Sequence, residues 1–274
     1  MPKVNTTIQN ILAEKDAGIS TGIEEMRAII EELQRQVTYE LGQAALGSWD
    51  AYQLKEMLNA LDRARMTFEH SAKNEMSSLL DDMWANGKAL VDDPLRLSGL
   101  YNGLSLSTSS LKVLKDFAMH KISGLSDDAW QRIRGELTLG VLGGKSPQEV
   151  ARAVGSNLDD QSIFGSIAQR AEVITQTEMG RVFSMAAQER MVEASDYVNG
   201  LEKQWIHAGH PKVARLNHLA LHGVHIPVKE RFLVGNIGMM FPRDPKAPVS
   251  EIIRCGCAHV PFHPSWGNDS WPNG

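Results

Sequence analysis

Seven of the nine histidines and both cysteines of this chain fall between positions 204 and 263, and nothing comparable occurs in the first two hundred residues. Imidazole nitrogen and thiolate sulfur are the preferred ligands of zinc, which takes four of them in a tetrahedron. His218 and His222 stand four apart in R-L-N-H-L-A-L-H. On a helix that spacing turns both rings to one side. Cys255 and Cys257 stand two apart in R-C-G-C, which on a strand points both sulfurs to the same face. Together His218, His222, Cys255 and Cys257 could offer a Cys2His2 shell, and zinc is the one cofactor the residues suggest. The same groups could instead pack and hydrogen-bond as a core with two free thiols.

A catalytic arrangement can also be drawn. Cys255 or Cys257 with His218 would supply nucleophile and base, and Glu178 could orient them. No glycine-rich phosphate loop or oxyanion motif accompanies the set. A metal nuclease would want more carboxylates than Asp244, which is alone between Glu230 and Glu251. The expectation is therefore a protein that is not an enzyme, the alternative being a hydrolase or transferase toxin-like module that uses this His/Cys cluster.

The elements that must position these residues change character along the chain. Residues 1–20 carry one short amphipathic patch and read as an arm or short helix. From 21 to 92, Ile23, Met26, Ile30, Leu33, Val37 and Leu41 recur at steps of three and four, and a second such pattern follows from Leu54 to Trp84. This spacing predicts a helical hairpin or bundle, with a cap at Ser48 and a break near 68–71. Residues 93–125 read as a linker and a helix, because Pro94, Gly99 and Gly103 punctuate a Ser- and Leu-rich stretch. Ser126-Asp127-Asp128 is expected to open another helix, and Ser146-Pro147-Gln148-Glu149 a short one that stops at Gly155. A longer helix is expected over about 162–194, with Glu178 buried in its apolar stripe and paired to Arg181 or Arg170.

After Asn199-Gly200 the periodicity shortens. Strands are expected near 201–208, 224–228 and 231–234, a short helix over 212–221, a closing strand over 251–260, and a tail from 263 to 274. The fold class is α+β: a mostly helical N-terminal two-thirds followed by a small domain of antiparallel strands.

Composition narrows the classes further. A chain of 274 residues favours two structural parts, and 42% hydrophobic with 22% charged residues describes an ordinary folded protein. No apolar run approaches the ~18–20 residues that a membrane span needs, so no membrane contact is expected. The N-terminus lacks the basic-then-apolar pattern of a signal peptide, which predicts a protein that stays in the cytoplasm where it is made. Net charge runs from −6 over residues 1–100 to −2 over 101–200 and +3 over 201–274. A basic end of that size is a weak basis for a zinc-stabilised nucleic-acid-binding module.

The order of these features resembles the phage Mu F-like family of head morphogenesis proteins, also called minor head or minor capsid proteins. The matching text is R-A-E-V-I-T-Q-T-E on the long helix, then K-x-W on a strand, R-L-N-H, L-H-G-V-H-I-P-V, F-P-R-D-P and C-G-C ahead of an apolar strand. The resemblance covers about 126–262, with helices over 126–195 and the α+β part over 201–262. Its motif positions are Glu178, Arg215, His218, Gly223, Phe232, Pro242, Cys255 and Cys257. The chain departs from the family at Gly256, where Arg is usual, and at Arg254, where Asn is common. The resemblance implies a virion protein of the phage head, made in the host cytoplasm and associated with the portal vertex. It further implies a role in head assembly, with the portal protein, capsid or scaffold proteins and packaged DNA as partners.

Overall fold

The computed structural model describes residues 2–43, 51–100, 108–142, 147–155, 158, 162–207 and 215–266. Five helices come first: α1 (Pro2–Gln43), α2 (Ala51–Leu97), α3 (Ser109–Val141), α4 (Pro147–Val154) and α5 (Ile163–Ser195). The small α+β part follows as β1 (Glu202–Ile206), α6 (Leu216–Leu219), β2 (His225–Pro227), β3 (Phe232–Val234), β4 (Ile237–Met239), α7 (Val249–Ile252) and β5 (Ala258–Phe262). The fold is α+β, with the helices in the N-terminal two-thirds and a small antiparallel sheet region at the C-terminal end.

Several helices are longer than the sequence pattern suggests, and burial gives the reason. The expected arm over 1–20 is the first part of α1: Val4, Ile8, Ile11, Lys15 and Ile19 form a buried stripe that continues through Met26, Ile30, Leu33, Val37 and Leu41. In α2 the expected break at 68–71 is absent, because Phe68, Ala72 and Met76 keep the stripe buried through it, whereas Met66 faces outward. Pro94 does not end α2; it lies inside the last turns, where the helix runs on to Leu97. Ser126 opens no helix either. It is buried in the middle of α3, between Ile122 and Ala129 on one inward stripe. Pro147 does stand at the start of α4, and Gly155 follows it at φ 105°. The expected caps at Ser48 and Ser146 lie outside the described residues.

The chain divides into two compact units that interleave in sequence. One comprises Thr21–Ser78 and Asp116–Thr175, and its elements among the described residues are all helices. Within it Gln34 Nε2 donates to the Gly155 carbonyl at 2.9 Å, so the end of α4 is tied to α1. The other comprises Met1–Ser20, Leu79–Lys115 and Gln176–Gly274, and contains every strand. In this unit α5 is inward on nearly all sides: Glu178, Arg181, Ser184, Gln188 and Arg190 are buried along with Met179, Val182, Phe183 and Met191. A helix with no outward face shows little amphipathic contrast, which is why its sequence is a mixture of small and polar residues.

Three strands form one antiparallel sheet in the order β2-β1-β5, with Glu202 opposite both Pro227 and Phe262, and Ile206 opposite Ala258. β3 and β4 form a hairpin, with Phe232 opposite Met239, around a Gly235-Asn236 turn in which Gly235 has φ 59°. β4 was not expected from the sequence, although V-G-N-I carries the turn signal. The core of this part gathers Trp205, Phe232, Val234, Met239, Ile252, Cys255 and Cys257. Pro264–Trp266 adds a single 3-10 turn whose Trp266 is buried, so the expected tail begins with an anchored residue.

Candidate metal centre

The closing strand is shorter than its sequence pattern suggests. Residues 249–252 are the helical turn α7, β5 starts only at Ala258, and Cys255 and Cys257 sit in the loop between them. The expectation of a strand-borne cysteine pair is thus corrected. The loop needs Arg254 at φ 54°, a left-handed conformation that suits Asn better than Arg. The loop is nonetheless held on both sides. The Cys255 N–H donates to the Ile252 carbonyl at 3.1 Å, and the Arg215 guanidinium on the neighbouring α6 donates to Ile253 O at 2.7 Å.

His218, on α6, completes the group. Its Nδ1 lies 3.5 Å from Cys255 Sγ and 3.6 Å from Cys257 Sγ, and its Nε2 lies 2.9 Å from Glu251 Oε2. The three ligand atoms of His218, Cys255 and Cys257 all fall within 4.8 Å of one another, and all three residues are buried. Trp205 packs edge-on against the His218 ring at 5.5 Å and against Phe232 at 5.2 Å, which walls the site with apolar surface.

The charges within the group reinforce one another. A hydrogen bond from Cys257 holds the Cys255 thiol well below its ordinary value against the opposing effect of burial, and His218 and Arg243 act in the same direction. Burial alone would lower the His218 pKa. Its contacts with Cys255 and Glu251 outweigh burial and raise it. Both shifts run in the direction of a thiolate beside an imidazolium. Two sulfurs converging on one imidazole nitrogen, with a carboxylate behind the other nitrogen, are also three ligands and an outer support of the kind that metal sites use. The His218–Cys255–Cys257 group could hold a metal ion.

His222 does not join them. Its Nδ1 accepts a hydrogen bond from the His207 N–H at 3.1 Å, so it supports the end of β1 instead. Glu178 does not orient His218 either; it is buried on α5 and paired with Arg181. The carboxylate that does so is Glu251, which sequence reasoning missed because its partner lies 33 positions away. Arg243 was also missed. Buried in F-P-R-D-P, it donates from Nη1 to Gly180 O at 3.1 Å and to Cys257 O at 3.2 Å, joining α5 to the cysteine loop. Asp244 beside it accepts from the Met240 and Lys246 N–H groups, each at 2.9 Å. Pro242 is buried in the same turn, Gly223 at φ 80° donates to Trp205 O at 2.8 Å, and Phe232 lies in the core. All eight motif positions thus serve the folded interior or its turns.

No family model matches the chain, and no solved structure does. The chain is 29% identical over 159 residues to an uncharacterized protein, YqbB, of Bacillus subtilis (strain 168), an alignment that covers 57% of this chain and 49% of that protein. The matched region therefore spans about half the length of that curated relative. No helix among the described residues is long and apolar enough to cross a membrane.

Proposed function

We propose that this protein is a minor head protein of a tailed phage or prophage, acting in head assembly at the portal vertex, and that its C-terminal module is stapled by zinc. The observation that carries the reading is the inward placement of the motif. Glu178, His218, Phe232, Cys255 and Cys257 are buried and held by other parts of the same unit, as residues that specify a fold are. A residue set spent on the interior suits a protein that works through its surface, on portal, capsid or scaffold partners and on packaged DNA. Zinc suits the donor set, since two thiolates and an imidazole are soft-to-borderline ligands.

The Cys255–His218–Glu251 order also matches a thiol nucleophile, its base and an orienting carboxylate. Cys255 is buried, however, with 1% relative exposure, and its sulfur shares the same imidazole nitrogen with that of Cys257. That arrangement suits a shared cation better than attack on a substrate.

The test is sedimentation of a phage-producing lysate, followed by elemental analysis of the chain purified without added metal. Cosedimentation with heads or portal complexes, and about one zinc per chain, are expected. A protein found only in the free fraction would overturn the assembly role, and a metal-free chain that binds no added zinc would overturn the staple.

A further inference from the structure

A tetrahedral cation needs a fourth ligand, and Glu251 cannot be it, because it binds the imidazole nitrogen opposite to the one facing the sulfurs. We propose that His207 is that ligand, so that the site is Cys255, Cys257, His218 and His207, with His222 as the support of His207. The proposal rests on the zinc reading above and specifies how the chain completes the shell.

Three observations place His207 there. The β1–β5 register pairs Trp205 with His259 and, as its last pair, Ile206 with Ala258, so His207 and Cys257 are the residues that directly follow and precede that pair, and continuing the register by one step sets them against each other. Residues opposite each other on antiparallel strands share a face, with Cβ atoms roughly 4.5–5.5 Å apart. His207 also lies two positions after Trp205, so it takes the same face of β1 as the side chain that packs on His218, Cys255 and Cys257. Finally, His207 is 6% exposed and its buried Nδ1 has no hydrogen-bond partner among the described residues. A buried imidazole nitrogen without a partner is costly unless something fills its place.

His207 stands outside the 4.8 Å group formed by the other three, so its ring must turn toward them when the cation enters. Its backbone need not move, because the His222 Nδ1 already accepts its N–H at 3.1 Å. To ligate, His218 Nδ1 and both cysteine sulfurs must be free of protons, so entry of a divalent cation releases to solvent every proton these three atoms hold.

Cobalt(II) titration of the full apo-chain reads the ligand set directly, through sulfur-to-cobalt charge transfer and the intensity of the d–d bands. The wild type is expected to give an intense tetrahedral spectrum. H207G should keep the charge-transfer band, lose most of the d–d intensity, and bind at least about tenfold more weakly, and added imidazole should restore the spectrum. H222Q should keep the tetrahedral spectrum. X-ray absorption of the zinc-loaded wild type, which requires no variant to fold, should count two sulfurs and two imidazoles. A count of one imidazole, or a nitrogen lost with H222Q and retained with H207G, would overturn the assignment of His207 while leaving the zinc staple in place. A wild type that binds neither cobalt nor zinc would overturn both.

Discussion

His218 and Glu251 form the pivot of the C-terminal module: the imidazole Nε2 meets the carboxylate at 2.9 Å, which turns Nδ1 toward both cysteine sulfurs. The carboxylate fixes ring orientation and tautomer, as outer partners of metal-ligating histidines do. Removing it should cost affinity without removing a ligand. Glu251→Ala is expected to weaken zinc binding by roughly 10–100-fold and Glu251→Gln by less. Competition against a chromophoric chelator measures this; wild-type affinity in both variants would show that the contact is incidental.

Chelation should act locally. If the cation staples α6 to the cysteine loop, its binding free energy is folding free energy for that region. Amide exchange in β1, β5 and residues 249–257 is expected to accelerate on metal removal, while the unit formed by Thr21–Ser78 and Asp116–Thr175 keeps its protection. Uniform acceleration across both units would contradict a local staple.

Lys203 makes stability depend on pH. It is fully buried, donates to Met240 O at 2.7 Å and Gln188 Oε1 at 3.1 Å, and sits 5.2 Å from the Phe232 ring centroid. Burial lowers its pKa to about 7, with Arg231 acting in the same direction and Asp244 and Glu230 opposing. The folded value lies below the unfolded one, ~10.4, so between them the unfolded chain binds more protons and stability rises with pH. The penalty is complete below about pH 7 and fades toward pH ~10.4, a change of at most about 5 kcal/mol. Urea denaturation at pH 7 and pH 9.5 should show a gain that Lys203→Met abolishes. An equal gain in the variant would assign it to another group.

Two helical glycines should respond in opposite directions to alanine. A Cβ at Gly87 would stand 2.4 Å from the Phe183 carbonyl oxygen and 2.7 Å from Ala186 Cβ, so α2 and α5 approach backbone to backbone there. Gly135 on α3 is exposed, and a Cβ added there would meet no atom of the described residues within 4 Å beyond its own helix backbone and chain neighbours. Gly135→Ala is expected to stabilise by about 0.5–1 kcal/mol through helix propensity. Gly87→Ala should destabilise by about 2–4 kcal/mol through overpacking. Thermal melts of both variants decide it, and a raised Tm for Gly87→Ala would deny the close approach.

The sequence by itself determined the α+β class, the long helix over Ile163–Ser195, the placement of β1, β2 and β3, and the convergence of His218 with both cysteines. These follow from periodicity and from residue types with few roles, which are local properties. Helix continuity was less legible, because Gly18, Ser71 and Ser126 carry weak helix signals that burial outweighs in α1, α2 and α3. The sequence pattern ran the closing strand through the cysteines, whereas a left-handed Arg254 makes that segment a turn. Which histidine supports and which carboxylate orients only the tertiary structure decided. A spacing of four would set His222 beside His218 on a helix, but α6 ends at Leu219, and in the turn that follows the His222 Nδ1 accepts the His207 N–H at the end of β1. Glu251 and Arg243 meet their partners across 33 and 63 positions, and separations of that size leave no trace in local pattern because they are set by the tertiary packing of α6 and the cysteine loop around Trp205 and by the link of that loop to α5 through Arg243.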